Sequence, residues 1–365
     1  MKVECVQEKL QKIISQAEKI SGKHLNLPVL SCILLNAKKG QLIIRSTNLD
    51  LGFESCLPVR VDEDGVLAVP GALLSSFISN LQGEKSVKLK GEENTLSVMT
   101  SKSRTVIKCL PPEDFPTIPE VSKERSFEIN AGDFVKGLKA VWYSSSVSSV
   151  KPELSSVYIY PEDGSVVFAA TDSFRLAEKK VKTKTPDFER LLLPFKNIPE
   201  IIRILEGESD MVEVRVSKNQ IAFVFGGTYL TSRLIDGTFP DYRQILPKDF
   251  KTEAVLLKED LARSLRMATI FSDNFNQVNM SIAPSEKKFE LTTKNNVLGE
   301  NTTTLDAALS GENAEANFNY RYVADCLQSI DTDSVSLSFA GPSRPVVIRG
   351  IGDRSFTYLV MPMNR

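Results

Sequence analysis

The side chains that could do covalent or acid–base chemistry are few and scattered. Among 365 residues there is one histidine, His24, which removes paired-histidine zinc sites and leaves little room for a Ser-His-Asp relay. Five cysteines (Cys5, Cys32, Cys56, Cys109, Cys326) form no C-x-x-C pair. That pattern suits a reducing compartment and argues against a structural zinc site. Gly83-Glu84-Lys85-Ser86 ends like a phosphate-binding loop but lacks its leading glycine. Gly350-Ile351-Gly352 is half a dinucleotide fingerprint, yet it lies between strand-like runs with Ser355 where a glycine belongs, so it reads as a hairpin turn. The acidic run Asp62-Glu63-Asp64 reads as a solvated loop, without the convergence a two-metal site needs. Asp172 and Asp241 are the best carboxylates for an acid-dependent hydrolase, but Asp172 follows a strand-like run, where such a residue ordinarily caps a turn. No catalytic constellation, metal or cofactor is expected.

Binding chemistry is better represented. Leu10, Ile13, Ile14, Ala17 and Ile20 make an apolar helical stripe, with Lys9, Lys12 and Lys19 off it. Phe134, Leu138 and Val141 repeat the stripe with Lys136 and Lys139 outward, and Leu261, Leu265 and Ala268 repeat it again against Arg263 and Arg266. A second set of helices adds Lys196, Arg203 and Arg321, although 70–82 offers no basic residue. Any solvated helix face carries some basic residues. Recurrence at equivalent helices favours a shared basic surface.

The elements that carry these residues recur three times. A strand leads into an amphipathic helix at 3–20, 127–142 and 254–270, with Leu10, Phe134 and Leu261 in register about 124 residues apart. At about the same spacing, Thr47, Thr171 and Thr293 close β-like runs. Leu81, Leu205 and Ile330 lie on second helices, and Leu110, Leu234 and Met361 on final strands. The period is far too long for a solenoid repeat, so each copy is expected to be a domain: 1–124, 125–250 and 251–365. Short polar linkers fall near 120–125 and 247–252. Strands such as Val212-Val214-Val216 alternate apolar with polar residues, as antiparallel sheets wetted on one face do, and the fold class is α+β.

With 42% hydrophobic and 25% charged residues the composition is that of an ordinary globular protein. No signal peptide and no membrane span are expected, and a cytoplasmic location follows. A net charge of −1 disfavours a protein that grips nucleic acid through bulk positive charge, though not one with a basic face offset by acidic ones.

Four segments resemble a known family. Leu27-Pro28-Val29-Leu30, the run Ala170-Thr171-Asp172-Ser173-Phe174-Arg175-Leu176-Ala177, Phe239-Pro240-Asp241-Tyr242-Arg243-Gln244-Ile245-Leu246-Pro247, and Leu359-Val360-Met361-Pro362-Met363 look like those of the bacterial DNA sliding clamps, the β subunits of DNA polymerase III. The resemblance runs end to end. It implies a head-to-tail homodimer ring of clamp domains, helices inside and antiparallel sheets outside, that encircles double-stranded DNA without reading its sequence. It implies partners as well: the replicative DNA polymerase, a clamp-loader ATPase, and other clients with short linear motifs.

Carried over residue by residue, the resemblance assigns a client-peptide groove to Leu154, Thr171, Ser173, Phe174, Arg175, Leu176, Pro240, Gln244, Ile245, Val346, Val360, Met361, Pro362 and Met363. An adaptable aliphatic and methionine-rich slot suits a client's Leu or Phe anchor. It assigns DNA contact to Lys23, His24, Ser148 and Lys151 in loops, beside the helix residues Lys12, Lys136, Lys139, Lys196, Arg203, Arg263 and Arg266. It assigns the dimer interface to Thr105 and Ile107 against Ile270 and Phe271, closing an exposed strand edge. The chain departs from the family at Ser173-Phe174, where Gly-His or Gly-Tyr is common, at Gln244, where a second Arg can follow Arg243, and at His24, where some members place an Arg. Pro152 and Glu153 occupy a loop that carries tyrosines in some relatives. These departures leave open a clamp-fold interaction hub that does not encircle DNA.

Overall fold

The computed structural model describes residues 1–22, 27–81, 83–184, 188–208 and 210–363. Each third opens as the periodicity predicts. A strand runs straight into a helix at Lys2–Val6 and α1 (Gln7–Ile20), at Ser126–Asn130 and α3 (Ala131–Val141), and at Thr252–Leu257 and α5 (Lys258–Ile270). The second helices are α2 (Gly71–Ser79), α4 (Ile198–Leu205) and α6 (Tyr320–Leu327).

The helices are held by their apolar stripes. Leu10, Ile14, Ala17 and Ile20 of α1 are buried against α2 and the strands behind it. Each of the leucine and isoleucine side chains contributes roughly 1.5–3 kcal/mol. Gln7 at the start of α1 donates to the Ile78 carbonyl of α2 at 3.2 Å, joining the pair. In α3, a Cβ on Gly137 would lie 2.4 Å from the Phe168 ring, so glycine is what lets the helix approach its strand. α6 starts on Asn319, whose side chain accepts from Arg321 N at 3.0 Å.

The chain forms two compact units, residues 1–132 with 196–234, and residues 133–195 with 235–365. The middle third contributes to both. In the first unit a five-stranded antiparallel sheet ends on the edge strand Arg104–Lys108, and an eight-stranded sheet joins Thr228–Arg233 to Leu51–Pro58. In the second a nine-stranded sheet joins Arg175–Lys182 to Phe356–Val360, and a four-stranded sheet ends on Gly299–Leu305. Leu230 pairs with Phe53 in one junction and Ala177 with Tyr358 in the other, so strands from successive repeats complete one another's sheets.

The repeat extends to single bonds. Thr47 Oγ1 donates to Leu51 O at 2.7 Å and accepts from Leu49 N, as Thr171 Oγ1 donates to Arg175 O at 2.6 Å and accepts from Ser173 N. Asn48 Oδ1 and Asp172 Oδ1 each take the next two turn amides. Leu49 and Ser173 share a left-handed backbone, φ 75° and 79°. The third copy differs. Its strand continues past Thr293 to Asn295, the Thr293 hydroxyl is buried without a partner among the described residues, and Asn295 Oδ1 takes the turn amides. Leu110, Leu234 and Met361 fall just past their strands rather than inside them.

Gly350 ends a strand and Ile351-Gly352 begin the turn to its paired neighbour, and Gly83–Ser86 leads into a strand rather than a helix, so neither is a nucleotide loop. All five cysteines are free. Burial pushes the Cys5 thiol up to about 12 and Cys109 to about 11, leaving both inert. Among the described residues no helix is long and apolar enough to cross a membrane, and no acidic, Cys or His cluster is placed to hold a metal ion.

Candidate functional site

The last residues of the chain lie against the turn after Thr171. Met361 N donates to Phe174 O at 2.8 Å, and Met363 N donates to Asn317 O at 2.7 Å. Two main-chain bonds thus hold Met361, Pro362 and Met363 half-buried between the turn and the strand Ala314–Asn319. Arg175 pairs with Val360, which pairs with Val346, so these three predicted residues form one row across three strands. Leu176, Val346 and Val360 are fully buried, and with Thr171 they make the floor rather than a contact surface. The accessible apolar surface is Phe174 (61% exposed) and Ile245 (49%), with the half-buried methionines. Pro240 is exposed nearby in sequence to the helical turn Tyr242–Ile245. Leu154 is buried at the end of the loop that exposes Ser148 and Lys151, its carbonyl accepting from Ser146 N at 2.8 Å.

The turn carrying Gln244 and Ile245 is anchored from below. Tyr242, Leu176, Leu359 and Phe239 pack in one cluster with Leu246 and Met361 against it. Tyr242 donates its hydroxyl to the buried Glu178 and meets Tyr160 Oη at 2.8 Å. Burial, then the Glu178 charge, push the Tyr242 pKa far up and keep it a donor. Arg243 bonds Glu162 and Tyr160, and Lys180 bonds Glu162 at 2.9 Å. Gln244 turns back to Asp241 at 2.8 Å. Asp241 and Asp172 are therefore both engaged in local turns, and neither is poised as a catalytic acid.

Arg175 is the hub. Its Nε donates to Asp172 (3.0 Å), Nη1 to Asp325 (2.5 Å) and Nη2 to the Tyr143 carbonyl (2.6 Å), while the guanidinium lies 4.4 Å over the Tyr322 ring. Burial opposes its charge, but Tyr358, Asp325 and Asp172 outweigh burial and push the pKa up. With 11% of its side chain exposed and each of its three nitrogens engaged, Arg175 ties the turn to its neighbours rather than presenting its guanidinium to solvent. Tyr143, Tyr322, Asp325 and Asn317 were not singled out by sequence. Asp325 lies 150 residues from Arg175, and no local pattern marks a partner at that distance.

The basic helix residues are exposed as predicted, but most are paired. Lys12 bonds Glu208 at 2.8 Å, Lys136 bonds Asp331 at 2.5 Å, Lys196 bonds Asp50 at 2.6 Å, Arg203 bonds Glu200 at 2.9 Å, and Arg263 lies 3.3 Å from Asp260. Lys139 is exposed, and so is Arg266, which has no carboxylate partner among the described residues. Arg321 is exposed and leans on the Tyr320 ring. Lys23 and His24 lie outside the described residues. Of the predicted interface residues, Ile270 is exposed, Phe271 and Thr105 are half-buried, and Ile107 is 2% exposed. Ile107 packs in its own sheet. The outward side chains of that edge strand are Arg104, Val106 and Lys108.

A thrice-repeated set of helix-backed antiparallel strands, joined strand to strand across successive repeats, fits the class of processivity clamps. Models of the DNA polymerase III beta subunit match end to end: the N-terminal domain at residues 1–119, the central domain at 128–241 and the C-terminal domain at 243–364. The chain belongs to the DNA polymerase III beta subunit family. It is 27% identical over 371 residues to the beta sliding clamp of Synechococcus elongatus, covering 100% of this chain and 99% of that protein. It is 25% identical to that of Staphylococcus epidermidis, over 92% of each. Its fold matches the DNA polymerase sliding clamp of Pseudomonas aeruginosa with TM-score 0.94 at 24% identity, covering 100% of both chains. The beta subunit of Thermotoga maritima matches with TM-score 0.94 at 22% identity, over 100% of this chain and 99% of that one. The chain is a DNA sliding clamp: a processivity factor and not an enzyme. A clamp-fold hub that leaves DNA alone is not favoured.

Proposed function

We propose that two copies close head to tail into a ring whose third junction repeats the two junctions inside the chain. The observation that carries this is the pair of unfilled edges. Thr228–Arg233 and Phe356–Val360 find partners in Leu51–Pro58 and Arg175–Lys182, whereas the equivalent strands, Arg104–Lys108 and Gly299–Leu305, end their sheets. Thr105 occupies the ladder position of Leu230 and Tyr358, opposite Val98, Phe223 and Ile348 respectively. On the other edge the inward side chains are Asn301, Thr303 and Leu305, as Phe53 and Ala177 are inward in theirs, with the exposed Thr302 between them. The repeated junction therefore lays Arg104–Lys108 antiparallel along the partner subunit's copy of the strand Gly299–Leu305. Ile270 ends α5 and Phe271 follows it, and Asn295 bonds the Ser272 carbonyl at 2.9 Å, which ties that loop to the hairpin beside the edge. Closing the ring removes both open edges. Thr302→Pro tests this by sedimentation velocity: monomers are expected, and an unchanged dimer overturns the junction.

Three domains at 1–124, 125–250 and 251–365 then make six in the ring. The faces of α1, α3, α4 and α5 that carry Lys12, Lys136, Lys139, Arg203, Arg263 and Arg266 meet phosphates, with Lys23, His24, Ser148, Lys151 and Lys196 beside them. Their acidic partners moderate the attraction, which suits a ring that must slide. The groove of Phe174, Ile245, Pro240, Gln244 and Met361–Met363 over its buried floor takes the linear motifs of the polymerase and other clients. A closed ring needs a loader ATPase to pass onto circular DNA. Five free cysteines and a DNA partner fit the cytoplasm.

A further inference from the structure

The turn that borders the client groove has its bond-for-bond counterpart at Thr47–Leu51, and that counterpart also borders a cavity. A pocket of about 600 Å³ is lined there by Leu49, Leu51, Pro116, Pro119, Asn219 and Arg233, with Asp50 and Gln220. The equivalence continues around it. Phe115-Pro116 repeats Phe239-Pro240 at about the same spacing as the other landmarks. Arg233 N donates to Asp50 O at 2.8 Å, just as Met361 N donates to Phe174 O at 2.8 Å.

The side chains differ in a way that sets the ligand. Where Met361 stands in the client groove, this pocket has an exposed arginine. Among the described residues no carboxylate pairs with Arg233, whereas the pocket's own carboxylate, Asp50, is held by Lys196 at 2.6 Å. The uncommitted charge is therefore a guanidinium. A Cβ on Gly52 would lie 2.7 Å from Ile118 Cγ2 and 2.9 Å from Thr231 Cγ2, so the floor is closed by apolar carbon. Leu49 is 44% exposed at the rim.

We propose that this pocket is a second peptide site, selective for an extended client segment in which a leucine-sized residue is followed by an acidic one. The apolar side chain packs on Leu49, Pro116 and Pro119, and the carboxylate meets the two-pronged face of Arg233. The amides of Asn219 and Gln220 face the peptide main chain. This rests on the reading of the Thr171–Met363 surface as a peptide groove, and the two sites differ in charge preference.

The probe is a fluorescein-labelled, N-acetylated pentapeptide with a central Leu-Asp pair, compared with its Leu-Asn twin by anisotropy on the full-length protein. The expected result is at least tenfold tighter binding of the Leu-Asp probe. That preference is abolished by Arg233→Glu, partly kept by Arg233→Lys, and unchanged in a Phe174→Asp, Ile245→Asp double variant. Equal affinity for both probes, no saturable binding by about 1 mM, or a preference that survives Arg233→Glu overturns the proposal. So does a preference lost only in the double variant, which puts the probe in the other groove. Retention of Arg233→Glu on circular DNA, measured in parallel, reports separately on folding and on the clamp reading.

Discussion

Arg175 shows how one side chain can hold a site it does not itself offer to a ligand. Removing it strands the Asp172 and Asp325 carboxylates and frees the Tyr143 carbonyl, so Arg175→Ala is expected to cost about 3 kcal/mol in chemical denaturation. Client-peptide affinity should fall with it. Lysine cannot span the same three acceptors, and Arg175→Lys is expected to recover less than half of the loss. Ser173 carries a physical price, since its φ of 79° is one that glycine adopts without penalty. Ser173→Gly should therefore stabilise the protein by up to about 1 kcal/mol, read as a higher unfolding midpoint. Glu162 gives a pH signature. Burial raises its pKa, but the bonds from Lys180 and Arg243 outweigh burial and hold it below the ordinary 4.5. A depressed carboxylate contributes stability that is complete above that ordinary value and is lost as pH falls through the folded one. Glu162→Gln should lower stability at neutral pH and flatten its fall below pH 4.5. At this scale the sequence was legible where bonds are local: Asp172 caps its turn, as its place after a strand implied. It was silent on Tyr322 and Asp325, because tertiary packing alone brings them to Arg175.

Elements were more legible than their partners. The three strand–helix openings follow from apolar periodicity, and the buried faces of α1, α3 and α5 are the predicted ones. Which strands join across repeats does not follow, because alternation fixes a strand's wet and dry faces but not its neighbour. Ile107, which the resemblance placed at the interface, is buried in its own sheet, and the edge is defined by backbone. Two changes test the Gly299–Leu305 edge, one in its backbone and one in the loop beside it. Thr302→Pro removes a main-chain donor from the ladder, and Phe271→Ala trims the loop beside it. Each is expected to weaken the dimer at least tenfold, about 1.4 kcal/mol, in a sedimentation dilution series. A dimer that ignores both would mean that other surfaces join the subunits.

On the scale of the whole molecule, a chain of net charge −1 works on DNA without a strong electrostatic grip. Lys12, Lys136, Lys196, Arg203 and Arg263 each have an acidic neighbour, so in the proposed ring a phosphate would compete with a carboxylate for each of them. Reversing the charge of Lys136, Lys139, Arg203 and Arg266 together should reduce loading and processivity. The remaining client-peptide affinity should be intact, since none of the four lies on the groove. The direct test of the account is retention on nicked circular DNA after loading, washed at high salt, before and after the circle is cut. Encirclement predicts that the protein stays through the salt wash and leaves only when an end is made. Loss to salt alone, on an uncut circle, would contradict it.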